Sequence, residues 1–182
     1  MSKKAVVFPG IGYNKDKPLL YYSIHIAKAY GYSVECVDFS SISWDKKDLN
    51  DPARMKEIFG QAMELAGKQL GGTKDDEVLL ISKSIGTVVA ACFAREKGID
   101  AKQIYFSPLV HFGMYASEEG IAIYGDADPL ADADEIEKIC ADKKIAAYRI
   151  SGGNHSLETG DTDMDLKNLS MIMDRVKEYI MR

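Results

Sequence analysis

Residues 78–91 read Val78-Leu79-Leu80-Ile81-Ser82-Lys83-Ser84-Ile85-Gly86-Thr87-Val88-Val89-Ala90-Ala91. The first four are large and apolar without polar alternation, the pattern of a strand covered on both faces. From Ile85 an apolar helical stretch runs to Lys97, and Gly98 follows in the usual C-cap position. Between strand and helix, Ser82 and Gly86 flank Ser84 at two residues' distance. Small residues at both places let the two elements approach without side-chain collision. Outward from this unit, similar apolar runs at residues 5–8, 33–39, 77–82, 103–107, 121–124 and 145–150 alternate with helical stretches. That alternation predicts βαβ units around a parallel sheet with helices on both faces.

The helices carry their own punctuation. Asp51 caps a helix with Pro52 at its first position, and Met55, Ile58, Ala62 and Leu65 recur at helical spacing until Gly71-Gly72. An earlier helix spans about residues 18–30 and ends at Gly31. At the C-terminus, Leu166, Leu169, Met173, Val176 and Ile180 form one apolar face, with Lys167, Asp174 and Lys177 left in water. The 182 residues, 46% hydrophobic and 28% charged, describe one domain with an ordinary core and neither repeat nor linker.

Composition also removes several functions. A net charge of −5 without a basic cluster argues against nucleic-acid binding. No stretch reaches the roughly 18 apolar residues of a membrane span, and the run at residues 5–8 is too short for a signal peptide. Cys36, Cys92 and Cys140 are an odd set without CxxC spacing, which reads as buried thiols in a reducing cytoplasm rather than disulfides or a zinc site. No P-loop, HExxH or paired-carboxylate spacing occurs, and the acidic clusters at residues 75–77 and 161–165 read as solvated surface.

The strand, small-x-Ser-x-Gly turn and helix around Ser84 resemble the nucleophile elbow of the α/β-hydrolase family, with Ser82 in place of the commonest first glycine. Taken alone, the motif reads equally well as Ser84 capping a helix. Two further matches follow in the family's order of serine, acid and histidine. Ile121-Ala122-Ile123-Tyr124-Gly125-Asp126-Ala127-Asp128 is similar to the family's strand-G-x-x-D loop, which selects Asp128 as the acid and leaves Asp126 second. Asp128 also reads as the cap of a helix begun by Pro129. The glycine-containing loop at residues 151–157 is similar to the terminal histidine loop and holds His155, on a flexible segment free to swing between serine and acid. His25 falls in the first helix and reads as an ordinary surface or satisfied histidine.

The resemblance implies a minimal α/β-hydrolase fold in a single domain, residues 1–182, with about six parallel strands in the order 2-1-3-4-5-6. It implies serine hydrolysis of a small carboxylic ester, thioester or amide through Ser84, His155 and Asp128, without metal or organic cofactor. By the same resemblance the Ile85 N–H is expected to be the first oxyanion donor. Phe8-Pro9-Gly10-Ile11-Gly12-Tyr13 resembles the family's His-Gly-x loop, making the Ile11 N–H the second, with Gly10 and Gly12 turning the backbone toward substrate. Only residues 108–120 join the fourth and fifth strands, so no cap domain is expected there and the site is open. Leu109, Val110, Phe112, Met114 and Tyr115 are expected to form its apolar lip, and His111 reads as a pocket residue, as structural or as facing solvent. Lys83 reads as an exposed residue beside the serine, or as a source of positive potential drawing anionic substrates to the mouth. The expected partner is a small acyl substrate, not nucleic acid or membrane, with a homo-oligomer left open.

Two other classes stay in view. The scaffold can serve as a non-catalytic module binding a ligand or partner at the strand ends. Gly10-x-Gly12 with Asp38 at the end of the second strand faintly matches a dinucleotide site, but Lys15 stands where its third glycine belongs.

Overall fold

The computed structural model describes residues 2–45, 48, 51–70 and 75–182. Six strands, β1 (Lys3–Phe8), β2 (Ser33–Cys36), β3 (Glu77–Lys83), β4 (Lys102–Phe106), β5 (Ile121–Gly125) and β6 (Ala146–Ile150), form one parallel sheet in the order β2-β1-β3-β4-β5-β6. This is the sheet order expected from the sequence. Among the described residues five α-helices connect or follow them: α1 (Pro18–Ala29), α2 (Pro52–Leu70), α3 (Ile85–Lys97), α4 (Ala133–Asp142) and α5 (Thr162–Met181). Alternate strand residues point to opposite faces. Ala5, Val7, Leu79 and Ile81 pack with α1 and α5, whereas Val6, Phe8, Val78 and Leu80 pack with α2 and α3. The farther strands β4 and β5 meet α4 on this second face through Tyr105, Ala122 and Tyr124. Every strand but the two outermost is therefore buried on both sides, which explains why β3 lacks polar alternation.

The sheet order reverses between β1 and β3, where α1 leaves toward one face and α3 toward the other. Such a switch point opens a crevice at the carboxyl ends of the strands. Gly86 sets how tightly it closes: a Cβ there would lie 2.3 Å from the Phe8 carbonyl oxygen and 2.4 Å from that of Pro9.

Several local expectations are met. The Asp51 carboxylate accepts from the Ala53 and Arg54 N–H groups at 3.0 and 3.2 Å, capping α2. The stop expected at Gly71-Gly72 lies outside the described residues. Others are corrected. β2 ends at Cys36 because the chain turns away after Val37, held by a reciprocal pair between the Gln69 side chain and the Asp38 backbone. The buried stripe of α5 runs through Asn168, Ile172, Val176, Tyr179 and Ile180, with Leu169 and Met173 of the expected face half-buried against the same core, and Leu166 is exposed. The acidic clusters are partly structural: Asp161 caps α5 through the Met164 N–H, and Glu77 pairs with Lys3 and Lys102. No helix among the described residues is long and apolar enough to cross a membrane.

The two kinds of helical glycine should respond oppositely to a methyl group. Gly86→Ala is expected to destabilise the fold by about 1–3 kcal/mol through overpacking. Gly60→Ala, on exposed α2 with nothing within 4 Å, is expected to stabilise it by about 0.5–1 kcal/mol. Urea unfolding midpoints measure both.

Candidate active site

Ser84 stands between β3 and α3 with φ 56° and ψ −126°, a conformation non-glycine residues rarely adopt. Its side chain makes no capping bond to α3, so the helix-cap reading is set aside. The turn is held from outside: the Ser84 N–H donates to the Phe106 carbonyl at 3.0 Å, and its own carbonyl accepts from the Thr87 hydroxyl at 2.6 Å. Ser82 fits the first small position because its buried hydroxyl donates to the Ile104 carbonyl at 2.9 Å.

His155 lies between Ser84 and Asp128. Its Nδ1 is 2.7 Å from Asp128 Oδ2 and its Nε2 is 2.8 Å from Ser84 Oγ. With Nδ1–H donating to the carboxylate, Nε2 is left to accept from the serine hydroxyl. The Asp128 side chain is 2% exposed, and its other oxygen accepts from the Leu130 N–H at 2.9 Å. Pro129 does not begin a helix; α4 starts at Ala133 under an Asp132 cap, so Asp128 braces a turn instead. Asp126, the second candidate acid, points elsewhere: Oδ1 accepts from the Gly152 N–H at 2.6 Å and Oδ2 faces Arg149. It holds the histidine loop by its backbone.

That loop is pinned, contrary to the swinging segment expected. Gly153 accepts from the Ala127 N–H, and the Asn154 carboxamide oxygen accepts from the Ser156 and Glu158 N–H groups. Leu157, at φ 63°, is buried in the core. The His155 carbonyl accepts from Lys83 Nζ at 2.7 Å and from the Ser107 hydroxyl at 2.9 Å. Lys83 is thus fully buried, which overturns both its exposed reading and its supposed place at the mouth. The turn aims its side chain down under the loops, where Nζ lies 5.1 Å from the centre of the Tyr13 ring. Burial pulls the lysine down to about 7, the Asp128 carboxylate opposing.

Gly10 and Tyr13 exchange two backbone hydrogen bonds across a tight turn in which Gly12 has φ 82°. Ile11 occupies that turn beside the serine; a Cβ on Gly10 would lie 3.2 Å from Ser84 Cβ. Gly10 and Gly12 shape the turn without lining the cavity, and Gly12 lies against Trp44.

A cavity of about 650 Å³ opens beside Ser84 and His155. Leu109, Val110 and exposed His111 line it, together with Met114 and Tyr115. Phe112 does not: the 3₁₀ helix Val110–Met114 turns it inward, fully buried against Tyr105. The opposite wall was not foreseen. Trp44 and the first turns of α2, through Met55 and Phe59, close that side, and Phe59 stacks on Tyr115 at 6.5 Å. The single tryptophan and the Met55/Phe59 spacing on one helix face were the available signals. Among the described residues no group of three or more His, Cys, Asp or Glu side chains is arranged to hold a metal ion.

No protein-family model and no curated protein matches this sequence. Solved structures do match its fold. A lidless α/β serine hydrolase from Xanthomonas campestris superposes with TM-score 0.66 at 16% identity, covering 99% of this chain and 81% of that one. An esterase from Pyrococcus furiosus gives TM-score 0.66 at 14% identity, covering 100% and 83%. Est1E from Butyrivibrio proteoclasticus, solved with ferulic acid bound, gives 0.67 at 12%, covering 100% and 88%. The chain has the α/β-hydrolase fold.

Burial holds His155 below the ordinary histidine value of 6.5, the Asp128 hydrogen bond opposing and the Lys83 charge assisting. An NMR titration is expected to place its midpoint below 6.5, and lower still in Asp128→Asn, which removes the opposing charge. Because the folded value lies below the unfolded one, this group costs nothing above the unfolded pKa. Its cost grows as pH falls from there through the folded pKa.

Proposed function

We propose that this protein is a serine hydrolase that cleaves a small carboxylic ester, thioester or amide. The observation that carries the reading is the unbroken hydrogen-bonded line from Ser84 through His155 to buried Asp128. Ser84 Oγ attacks the acyl carbonyl as His155 Nε2 takes its proton. Asp128 holds the Nδ1–H tautomer and stabilises the imidazolium. The N–H groups of Ile85 and Ile11 receive the oxyanion, where preorganised donors are worth most. When the bond to the leaving group breaks, Nε2–H delivers the proton to it and an acyl-enzyme remains. Water, deprotonated by the same nitrogen, then releases the acid and restores the serine.

The cavity supports an apolar acyl group, since Trp44, Met55, Phe59, Leu109 and Val110 line it. The short connection between β4 and β5, whose one helical element is the 3₁₀ helix, supports an open single-domain enzyme without a cap. The free thiols Cys36, Cys92 and Cys140 fit a reducing cytoplasm, and the acidic chain fits a small-molecule substrate rather than nucleic acid.

Intact-mass labelling with a fluorophosphonate tests the reading without knowledge of the natural substrate. One adduct is expected on the wild type and none on Ser84→Ala or His155→Ala. With any ester that turns over, Ser84→Ala is expected to lower kcat by about 10³- to 10⁶-fold. A folded but unreactive wild type would transfer the weight to a binding module. In a p-nitrophenyl ester series, kcat/KM is expected to rise about three- to fivefold per added methylene from acetate until the cavity is filled. A flat series would remove the acyl pocket.

A further inference from the structure

Lys83 is a buried charged residue of the elbow that the hydrolytic cycle leaves without a role. Its side chain is fully buried, although lysine is among the residues least often found so unless partnered. Its partners are on the page and come from two separate loops. Nζ donates to the His155 carbonyl at 2.7 Å, and the same nitrogen lies over the Tyr13 ring at 5.1 Å. Tyr13 closes the tight turn that holds Ile11, and its hydroxyl accepts from the Leu19 N–H. A second buried donor, the Ser107 hydroxyl from the end of β4, reaches the same His155 carbonyl at 2.9 Å. The strand end that presents Ser84 therefore also presents the group that grips the histidine loop one residue earlier.

We propose that Lys83 is a positioning residue. With Ser107 it clamps the His155 carbonyl, and through Tyr13 it ties the histidine loop to the loop carrying Ile11, keeping the imidazole between Ser84 and Asp128. The role rests on the hydrolase reading above.

Two consequences separate this from simple packing. A carbonyl held by two donors fixes the backbone that carries the imidazole, and displacements of about 1 Å in such groups cost up to about a hundredfold in rate. The lysine is also a charge. The titratable and charged groups around it are Asp128, His155 and Tyr13, with Glu158 beyond Tyr13. A cation here disfavours protonation of His155, so its removal should move the acid limb of reactivity to higher pH.

The test is the rate of fluorophosphonate labelling against pH for wild type, Lys83→Met, Lys83→Gln and Ser107→Ala, with circular dichroism to establish folding. Lys83→Met is expected to react about ten- to a hundredfold more slowly, with the acid limb shifted upward. Lys83→Gln, which keeps an N–H donor but no charge, should recover part of the rate and retain the shifted limb. Ser107→Ala should slow labelling with the limb at its wild-type position, and it decides the matter if neither lysine variant folds. Folded variants labelling within about twofold of wild type, with an unmoved acid limb, would overturn the role while leaving the hydrolase intact. An unreactive wild type would overturn both.

Discussion

The contact on which the molecule turns is between backbone and backbone, where the first turn of α3 lies against the carbonyl oxygens of Phe8 and Pro9 with only the hydrogen of Gly86 between them. That proximity forces the chain to reverse within one residue of β3, and Ser84 takes the resulting φ of 56°. The conformation costs free energy in isolation and persists because its surroundings over-determine it. Phe106 receives the Ser84 N–H from the neighbouring strand, and Thr87 returns to its carbonyl from one turn into the helix. The sheet order does the rest, since its reversal between β1 and β3 leaves an opening at the place where the serine emerges.

A second close approach completes the arrangement. A Cβ on Gly125 would lie 1.9 Å from the Gly153 carbonyl oxygen, so the end of β5 and the histidine loop touch through their backbones. Asp126 fastens the same junction with its bond to the Gly152 N–H, freeing Asp128 two residues later to face the imidazole. Two neighbouring carboxylates divide the labour: one holds the loop by its backbone, the other meets the side chain that the loop carries.

What could be read from the residues in order was what depends on near neighbours. The elbow declares itself through Ser82, Ser84 and Gly86, the parallel βαβ class follows from alternating runs with the strand order added by the family resemblance, and Asp51-Pro52 marks the start of α2. Misreadings arose where the deciding contact lies far along the chain. Lys83 looked exposed because its partners, Tyr13 and His155, are distant in sequence. Phe112 looked like a pocket residue because nothing local announces a 3₁₀ helix that rotates it onto Tyr105. The C-terminal stripe packs on the core from Leu169 onward and fails only at Leu166, since periodicity alone does not say where along a helix the contact with the sheet begins. The wall formed by Trp44, Met55 and Phe59 has no distinctive signature in sequence order, since an apolar helix face serves a core and a cavity with the same residues.

The hydrogen bond between His155 and Ser84 joins positions 71 residues apart, and the one to Asp128 joins positions 27 apart. Contacts of that span carry a chain-closure cost that local pairs avoid. The serine's turn is complete once β1, β3, α3 and the Phe106 carbonyl of β4 have met, yet the His155 imidazole arrives only after β5 and β6 have added in sequence. During synthesis the nascent polypeptide thus passes through an interval in which Ser84 has emerged and its imidazole partner has not. The hydrogen-bonded line from Ser84 through His155 to Asp128 is in this sense a property of the finished sheet, acquired at its last strand.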